Sequence, residues 1–224
     1  ACVHATDLDQ DGDPDVLSAS EYGDQIAWYE NNGDGTFGPR QVIATQVDGA
    51  RSIFAADLNG DGLPDVLSAS RDDDKIAWYE NDGSENFTPH TISMAADGAH
   101  SVFAADVDGD GDMDALSASY DDDTVAWHEN DGSQNFVTHP ITNSADHVYS
   151  VYAADVDGDG DPDLVTANRG TRDFSVLLND GDGAFASPAT YPHGGASPDP
   201  LSLNVADFNG DGAPDLAITA DGAL

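Results

Sequence analysis

The stretch Asp106-Val107-Asp108-Gly109-Asp110-Gly111-Asp112-Met113-Asp114 places five aspartates within nine residues. Carboxylates this close repel one another, and a hard dication such as Ca²⁺, which takes about six to eight oxygen ligands, removes that repulsion. Positions 1, 3, 5 and 9 (Asp106, Asp108, Asp110 and Asp114) can direct side chains inward, while Asp112 at position 7 would offer its backbone carbonyl. Gly111 at position 6 permits a sharp turn because it lacks a Cβ. The stretch therefore predicts a calcium loop.

The same motif recurs four more times in fixed register, at 7–15, 57–65, 155–163 and 207–215. Each position assigned a side-chain ligand holds Asp or Asn, whereas position 7 varies, as expected if only its carbonyl binds. We therefore predict about five Ca²⁺ ions, one per loop, acting as structural clamps. The predicted ligands in these four loops are Asp7, Asp9, Asp11, Asp13 and Asp15; Asp57, Asn59, Asp61, Leu63 and Asp65; Asp155, Asp157, Asp159, Asp161 and Asp163; and Asp207, Asn209, Asp211, Ala213 and Asp215.

Two other interpretations of these loops are weaker. A single copy would fit a solvated turn rich in Asp and Gly, but five copies in register favour a metal site. An EF-hand needs a Glu at position 12 and flanking helices, whereas position 12 here is Ser117 or its equivalent, inside a predicted strand. Asn59 and Asn209 remove one negative charge from the second and fifth loops, so we predict lower calcium affinity there.

The composition limits the classes of partner. The chain has 224 residues, with 6 Lys and Arg against 44 Asp and Glu and a formal net charge of −38. Nucleic acids and anionic membrane surfaces are poor partners, because both require clustered basic residues. No run of 18 apolar residues predicts membrane insertion, and the single cysteine, Cys2, precludes an intrachain disulfide. Calcium dependence and the acidic surface favour an extracellular or cell-surface location.

The loops mark a repeat of about fifty residues. Their first aspartates are separated by 50, 49, 49 and 52 residues, and a period in this range is typical of solenoids, propellers or arrays. A short apolar run precedes each loop, a second follows it, and two further short runs complete each repeat. Helical periodicity is absent, and Asn-Gly and Asp-Gly pairs between the runs are typical of hairpin turns. Each repeat is thus predicted to form four strands.

Four short antiparallel strands are typical of one blade of a β-propeller. We predict an all-β fold in which the single domain 1–224 comprises about four and a half blades, with bounds near 1–49, 50–98, 99–147, 148–200 and a partial blade at 201–224. The fourth strand is expected to start at Phe37, Phe87, Phe136 or Phe185 and to lie at an edge. A half blade exposes a sheet edge, which invites pairing. We therefore expect self-association or further blades that complete the propeller.

The segments 105–119 and 28–37 resemble the FG-GAP/VCBS repeat family, also found in integrin α-chains. The first joins the loop to Ala115-Leu116-Ser117-Ala118-Ser119, and the second reads Trp-Tyr-Glu-Asn-Asn-Gly-Asp-Gly-Thr-Phe. The resemblance covers essentially the whole chain. It implies a calcium-stabilised propeller, usually of about seven or eight blades, in secreted or surface proteins with roles in adhesion or ligand recognition. An integrin-type Gly-Ala-Pro segment is not evident, so integrin-like partners are not implied.

Other recurring residues offer alternatives. Trp28, Trp78 and Trp127 occupy one blade position and could stack on sugars, but packing between blades is favoured; Val176 stands there in the fourth blade. Glu30, Glu80 and Glu129 could suggest paired carboxylates for glycoside hydrolysis. Their repetition favours structure instead, because catalytic groups are normally singular. We therefore predict no catalytic residues and no enzyme activity.

The leading hypothesis is an extracellular calcium-binding propeller for adhesion, recognition or surface assembly, whose protein or glycan ligand is unknown. One alternative is a carbohydrate-binding lectin of the same fold. Another is the non-catalytic propeller of a larger secreted enzyme.

Overall fold

A computed structural model describes residues 2–192 and 199–221. These residues form eighteen β-strands and one 3-10 helix of three residues, Glu21–Gly23. The strands make four antiparallel sheets of four strands and one sheet of two strands. None of the helices in the described ranges has the length and apolar character needed to cross a membrane.

Each four-stranded sheet is built from strands that follow one another in the chain and pair in that order. The first contains β1 (Cys2–Thr6), β2 (Asp15–Ser20), β3 (Gln25–Tyr29) and β4 (Gln41–Ala44). The second contains β5 (Ala50–Ala56), β6 (Asp65–Ser70), β7 (Lys75–Asn81) and β8 (Phe87–Ser93). The third contains β9 (Ala99–Ala105), β10 (Asp114–Ser119), β11 (Thr124–Asn130) and β12 (Phe136–Thr142).

The fourth sheet contains β13 (Val148–Ala154), β14 (Asp163–Asn168), β15 (Asp173–Leu177) and β16 (Ala189–Pro192). The last pair, β17 (Asp199–Ala206) and β18 (Asp215–Asp221), repeats the first half of this arrangement. The blade-like sheets confirm the predicted all-β propeller architecture, and every Asp-rich loop connects the first two strands of a blade.

The outer strands differ from the prediction in two blades. The fourth strand begins at Phe87 and Phe136 as expected, but β4 and β16 begin only at Gln41 and Ala189. In those blades Phe37 and Phe185 make isolated bridges to Asn31 and Asn179, which lie two residues after the end of the third strand. Pro39 and Pro188 follow these bridges and lack the N–H that a continuing ladder would use, although Pro89 and Pro140 are accommodated within β8 and β12.

The first strands of neighbouring blades pack against one another around an axis. Ser52 Oγ accepts the backbone N–H of Val102 at 3.2 Å, and Ser101 Oγ accepts that of Val151 at 3.3 Å. The rings of Phe54 and Phe103 lie 4.4 Å apart between two of these strands. Small residues and aromatic rings thus alternate along the inner surface of the array.

The hydrophobic core lies between successive blades. Trp28, Trp78 and Trp127 are 2%, 1% and 6% exposed. Each packs with apolar residues of its own blade and of the next one, as Trp127 does with Val151 and Leu164. The preference for packing over a sugar-stacking surface is therefore confirmed for these tryptophans.

Candidate metal centres

Position 9 of each loop carries an aspartate that ties the loop to its blade. Asp114 accepts two backbone N–H groups, that of Val107 on Oδ2 at 3.0 Å and that of Asn130 on Oδ1 at 2.8 Å. Asp114 is the first residue of β10, and it is completely buried. The same pair of bonds and the same burial recur at Asp15, Asp65 and Asp163.

Two of these buried carboxylates, Asp65 and Asp114, lie in an environment that disfavours their charge. Burial raises the pKa of Asp65 to about 7, against the opposing effect of its two backbone hydrogen bonds, and the nearby Asp61 and Asp57 raise it further. Burial likewise raises the pKa of Asp114 to about 6. A cation beside such a carboxylate would favour its ionised form.

Position 1 orients its carboxylate through the glycine at position 6. In all five loops the N–H of that glycine donates to Oδ2 of position 1, as Gly111 does to Asp106 at 3.1 Å. Gly111 has φ +97°, a conformation that side chains with a Cβ rarely adopt. The other oxygen, Oδ1, is buried in Asp7 and Asp106 and has no hydrogen-bond partner among the described residues.

Positions 3 and 5 stabilise the turn through their own backbone. Asp108 Oδ1 accepts the N–H of Asp110 at 3.3 Å, and Asp110 Oδ1 accepts that of Asp112 at 2.9 Å. Equivalent bonds occur in the other four loops. Each aspartate at these positions therefore keeps one oxygen free of the bond that holds the turn, whereas Asn59 and Asn209 use their single side-chain oxygen for it.

The fold brings together positions 1, 3 and 9 of three loops. In each, one oxygen from every member lies within 4.8 Å of the others, in the groups Asp7, Asp9 and Asp15; Asp106, Asp108 and Asp114; and Asp155, Asp157 and Asp163. Ligands at about 2.3–2.6 Å from a Ca²⁺ ion have separations in this range. The position-5 aspartates, including Asp11, Asp110 and Asp159, are not members of these groups, and the carbonyl role of position 7 stays a prediction.

The loops with Asn at position 3 differ in charge. In the second loop Asn59 Nδ2 donates to Asp61 Oδ2 at 3.1 Å and to Glu80 Oε1 at 3.4 Å. The fifth loop has no third strand beside it in the described chain, and Asp215 is only partly buried. Its Oδ2 accepts the N–H groups of Phe208 and Asn209 at 3.0 and 3.2 Å. The residues of the first and third loops fit a calcium ion best, because each adds an unpartnered buried oxygen to its carboxylate group.

Sequence reasoning missed the residue that connects one loop to the next. Asn130, at the end of β11, donates from Nδ2 to the carbonyl of Leu58 in the preceding blade at 2.8 Å. Its backbone N–H at the same time bonds Asp114 of its own blade. Asn81 and Asn179 make the same links, to Leu8 and Val107. The repeated Asn signals this role in the sequence, although the pattern predicts only a turn.

Two of the repeated glutamates pair with histidines of the neighbouring strand. Glu80 Oε2 lies 3.1 Å from His90 Nε2, and Glu129 Oε2 lies 2.7 Å from His139 Nε2. The ring of His90 also stacks on Trp78 at 4.4 Å. These contacts join the third and fourth strands of a blade, so they support the structural interpretation of the glutamates.

A fourth acidic group lies at the opposite end of the blades. It comprises Asp123, Asp146 and His147. Asp123 Oδ1 accepts the His147 backbone N–H at 2.7 Å, and Asp24 and Asp74 bond Gly49 and Gly98 in the same way. Since the bond recurs where the other blades have glycine, this group is a joint between blades.

The chain was compared with known families and structures. The FG-GAP-like repeat family matches residues 7–68, 57–117, 107–166 and 155–218. No curated protein matches in sequence.

Solved structures share the fold at low identity. A lectin from Agrocybe aegerita, described as recognising non-reducing terminal N-acetylglucosamine, is 23% identical with a TM-score of 0.65 over 96% of this chain and 59% of its own. The V. cholerae biofilm matrix protein Bap1 is 21% identical with a TM-score of 0.54, over 96% of this chain and 34% of its own. A Photorhabdus luminescens Tc holotoxin pore structure is 24% identical with a TM-score of 0.52, over 96% of this chain and 10% of its own.

This chain therefore spans less than two thirds of the length of these structural neighbours. Four overlapping family matches extend from residue 7 to residue 218, one for each pair of successive Asp-rich loops. The chain belongs to the FG-GAP-like repeat family and folds as blades of a β-propeller.

Proposed function

We propose that this chain is an extracellular, calcium-stabilised propeller module for adhesion, recognition or surface assembly, and that it acts by binding and not by catalysis. The observation that carries the calcium role is the approach of three carboxylates in each of three loops, within 4.8 Å. Unpartnered buried oxygens on Asp7 and Asp106 support it. A dication supplies the positive charge that these oxygens lack, and hard oxygen ligands favour Ca²⁺.

The chain's own residues determine how such an ion would be held. The glycine N–H groups fix the rotamers of position 1, and the backbone bonds of position 9 fix the base of the loop. The ion would offset repulsion between carboxylates that the turn holds together. Because position 9 starts the second strand and position 1 follows the first, the ion would clamp the two strands at their connected ends.

Calcium removal tests the proposal. At a calcium concentration ten times the Kd, one site contributes roughly 1.4 kcal/mol to the free energy of unfolding. Five equivalent sites would contribute about 7 kcal/mol, comparable to the whole stability of many domains. We expect the melting temperature to fall sharply in EDTA and to recover on adding excess Ca²⁺. Equal melting curves with and without EDTA, in protein shown by metal analysis to lose calcium, would refute the structural role.

Direct titration tests the ranking of the sites. The Asn59→Asp variant gives the second loop the carboxylate set of the first and third loops, so its calcium affinity should rise. Gln46→Glu, at an exposed position after β4 at the end of the blades opposite the loops, adds the same charge away from the second loop and serves as the control. A greater increase in affinity with the control variant would contradict the assignment of position 3 as a ligand.

Carbohydrate binding is the second candidate for the recognition function. The fold likeness to a lectin supports it, but the buried Trp28, Trp78 and Trp127 exclude these side chains as an exposed sugar platform. Binding to a glycan array by calcium-loaded protein would favour this candidate. Binding only to protein ligands would favour the adhesion role.

A further inference from the structure

At the end of the blades opposite the Asp-rich loops, two positions do not keep the same residue type from one repeat to the next. The residue before the inner serine is Arg51, His100, Tyr149 and Leu201 in successive blades. The first residue after the second strand is Glu21, Arg71, Tyr120 and Arg169. Neighbouring positions in the same strands hold similar residues in successive blades, whereas the residue type at these two positions varies.

The first of these positions lines a cavity near the axis, which we name the axial pocket. Arg71 and Arg169, from the second position, are not among its lining residues but lie close enough to act electrostatically on His100 in its wall. The axial pocket has a volume of about 210 Å³ and is lined by Arg51, His100 and Tyr149 together with the inner serines of four blades. No Asp or Glu is among its described lining residues, although acidic residues number 44 in the chain. The pocket is therefore an exception to the acidic character of the molecule.

Most of the few basic residues of the chain lie at this end of the blades. Of the six Lys and Arg residues in the chain, four are Arg51, Arg71, Arg169 and Arg172, at the same end of the blades. Arg51 pairs with Glu21 at 2.8 Å, and Arg169 and Arg172 share Asp199 at 3.2 and 3.0 Å. The ion pairs of these four guanidinium groups involve three carboxylates, and the pair of Arg71 with Asp121 is the longest, at 3.8 Å.

Two of these arginines keep donors free. Arg51 uses Nη2 for Glu21, but its Nε is buried and lacks a hydrogen-bond partner among the described residues. The Arg71–Asp121 separation exceeds the usual length of a hydrogen bond. A buried donor without an acceptor is costly, so an oxygen-bearing ligand in the axial pocket would relieve that cost.

The other residues that line the axial pocket can form hydrogen bonds with hydroxyl groups of a ligand and can contact the apolar face of its ring. Ser52 and Ser101 accept backbone N–H groups through Oγ, which leaves their hydroxyl protons available to donate. His100 Nδ1 lies 3.0 Å from the Tyr149 carbonyl, so this nitrogen carries a proton and Nε2 is an acceptor in the neutral ring. Burial, with Arg51, lowers the pKa of His100 to about 4, so the ring is neutral at pH 7. The rings of His100 and Tyr149 lie 3.7 Å apart.

We infer that the axial pocket binds a small hydroxylated monocarboxylate of the sugar-acid class, with its carboxylate on Arg51 and Arg71 and its hydroxyl groups on the inner serines and His100. The cavity is smaller than the roughly 300–1,000 Å³ of sites for drug-sized ligands, so one monosaccharide unit fits its scale. A monoanion is favoured over a dianion because the work against the field of a chain of net charge −38 rises with ligand charge. This site uses none of the predicted calcium ligands, so it goes beyond the proposed calcium role.

Titration of the calcium-loaded protein with D-glucuronate, D-glucose and sulfate tests this inference. We expect glucuronate to bind, glucose to bind at least tenfold more weakly, and sulfate to bind more weakly than glucuronate. Calorimetry gives the affinities, and NMR chemical-shift changes locate the ligand. Equal binding of glucose, stronger binding of sulfate, absence of glucuronate binding, or shifts confined to the calcium loops would each overturn the inference.

Matched variants distinguish ligand binding in the axial pocket from a general effect of removing one positive charge. Arg71→Gln should weaken glucuronate binding at least tenfold, and Arg51→Met should do the same if its melting temperature shows that it folds. Arg40→Met removes the same charge at an exposed position of the first blade and should change the affinity less than twofold. An equal loss in the Arg40 and Arg71 variants would overturn the inference. Retention of glucuronate binding in a calcium-loop variant such as Asn59→Asp would distinguish this site from the calcium role.

Discussion

The two ends of the blades differ in how closely their residues repeat from one blade to the next. At the end that carries the Asp-rich loops, positions 1, 5 and 9 are Asp in every loop, four blades repeat the same two backbone bonds, and an Asn links three pairs of neighbouring blades. At the axial-pocket end, Arg51, His100 and Tyr149 take one register in three successive blades. Repetition marks residues that every blade needs for folding, and departure from it marks residues that act once in the whole molecule. The predictions below test this division, beginning with the largest effect.

Asp114→Ala should destabilise the protein most. It leaves the buried N–H groups of Val107 and Asn130 without acceptors, at a cost of about 2–5 kcal/mol in the free energy of unfolding. Asp215→Ala is the matched change in the fifth loop, where the carboxylate is only partly buried, and should cost less. Denaturant unfolding in excess calcium measures both. Equal losses would contradict the importance of burial at position 9.

Asn130→Ala should have an intermediate effect. The variant loses the bond to the carbonyl of Leu58 in the preceding blade and the bond to the carbonyl of Met113 in its own blade. The loss should cost about 1–2 kcal/mol. Asn135→Ala, in an exposed turn of the same blade, should change the stability by less than about 0.5 kcal/mol. If both variants unfold at the same denaturant concentration, the link between blades is not a significant source of stability.

His128 makes stability dependent on pH. This buried ring takes the register of Tyr29 and Tyr79 and contacts Ser117 Oγ and Thr138 Oγ1, both at 2.9 Å. Burial, with His139, lowers its pKa from the ordinary value of 6.5 to about 4. Its contribution is therefore fully present above pH 6.5 and is lost as pH falls towards 4, because the unfolded chain binds the proton first.

The His128→Tyr variant restores the residue of the other blades and isolates this effect. Between pH 7 and pH 4.5, in excess calcium, the wild type should lose about 1–3 kcal/mol more than the variant. Parallel stability curves for the two proteins would show that His128 does not titrate differently in the folded and unfolded states.

Arg71→Gln should have the smallest effect on folding. Its side chain is 36% exposed and approaches Asp121 only at 3.8 Å, so its loss should change the stability by less than about 0.5 kcal/mol. Thermal unfolding of the variant checks this value against that of Asn130→Ala. A loss as large as that of Asn130→Ala would place Arg71 among the residues needed for folding and remove the contrast between the two ends.

The strands and loops were largely predictable from local sequence. The Asp-rich motif and its period located every connection between first and second strands, and alternating short runs located the blades. The starts of β4 and β16 were wrong because Pro39 and Pro188 interrupt the ladder just after Phe37 and Phe185. The inter-blade bond of Asn130 was not predictable, because its acceptor lies 72 residues away.

The amino-acid sequence alone determined the fold class, the repeat and the residues that can hold calcium, because strand alternation, turn chemistry and carboxylate spacing act over a few neighbouring residues. Only the tertiary structure decided that Asp114 supports two segments at once, that Trp127 is enclosed between blades, and that Arg51, His100 and Tyr149 of three blades line one pocket. These outcomes depend on which blades lie side by side, and that arrangement follows from packing of the whole array.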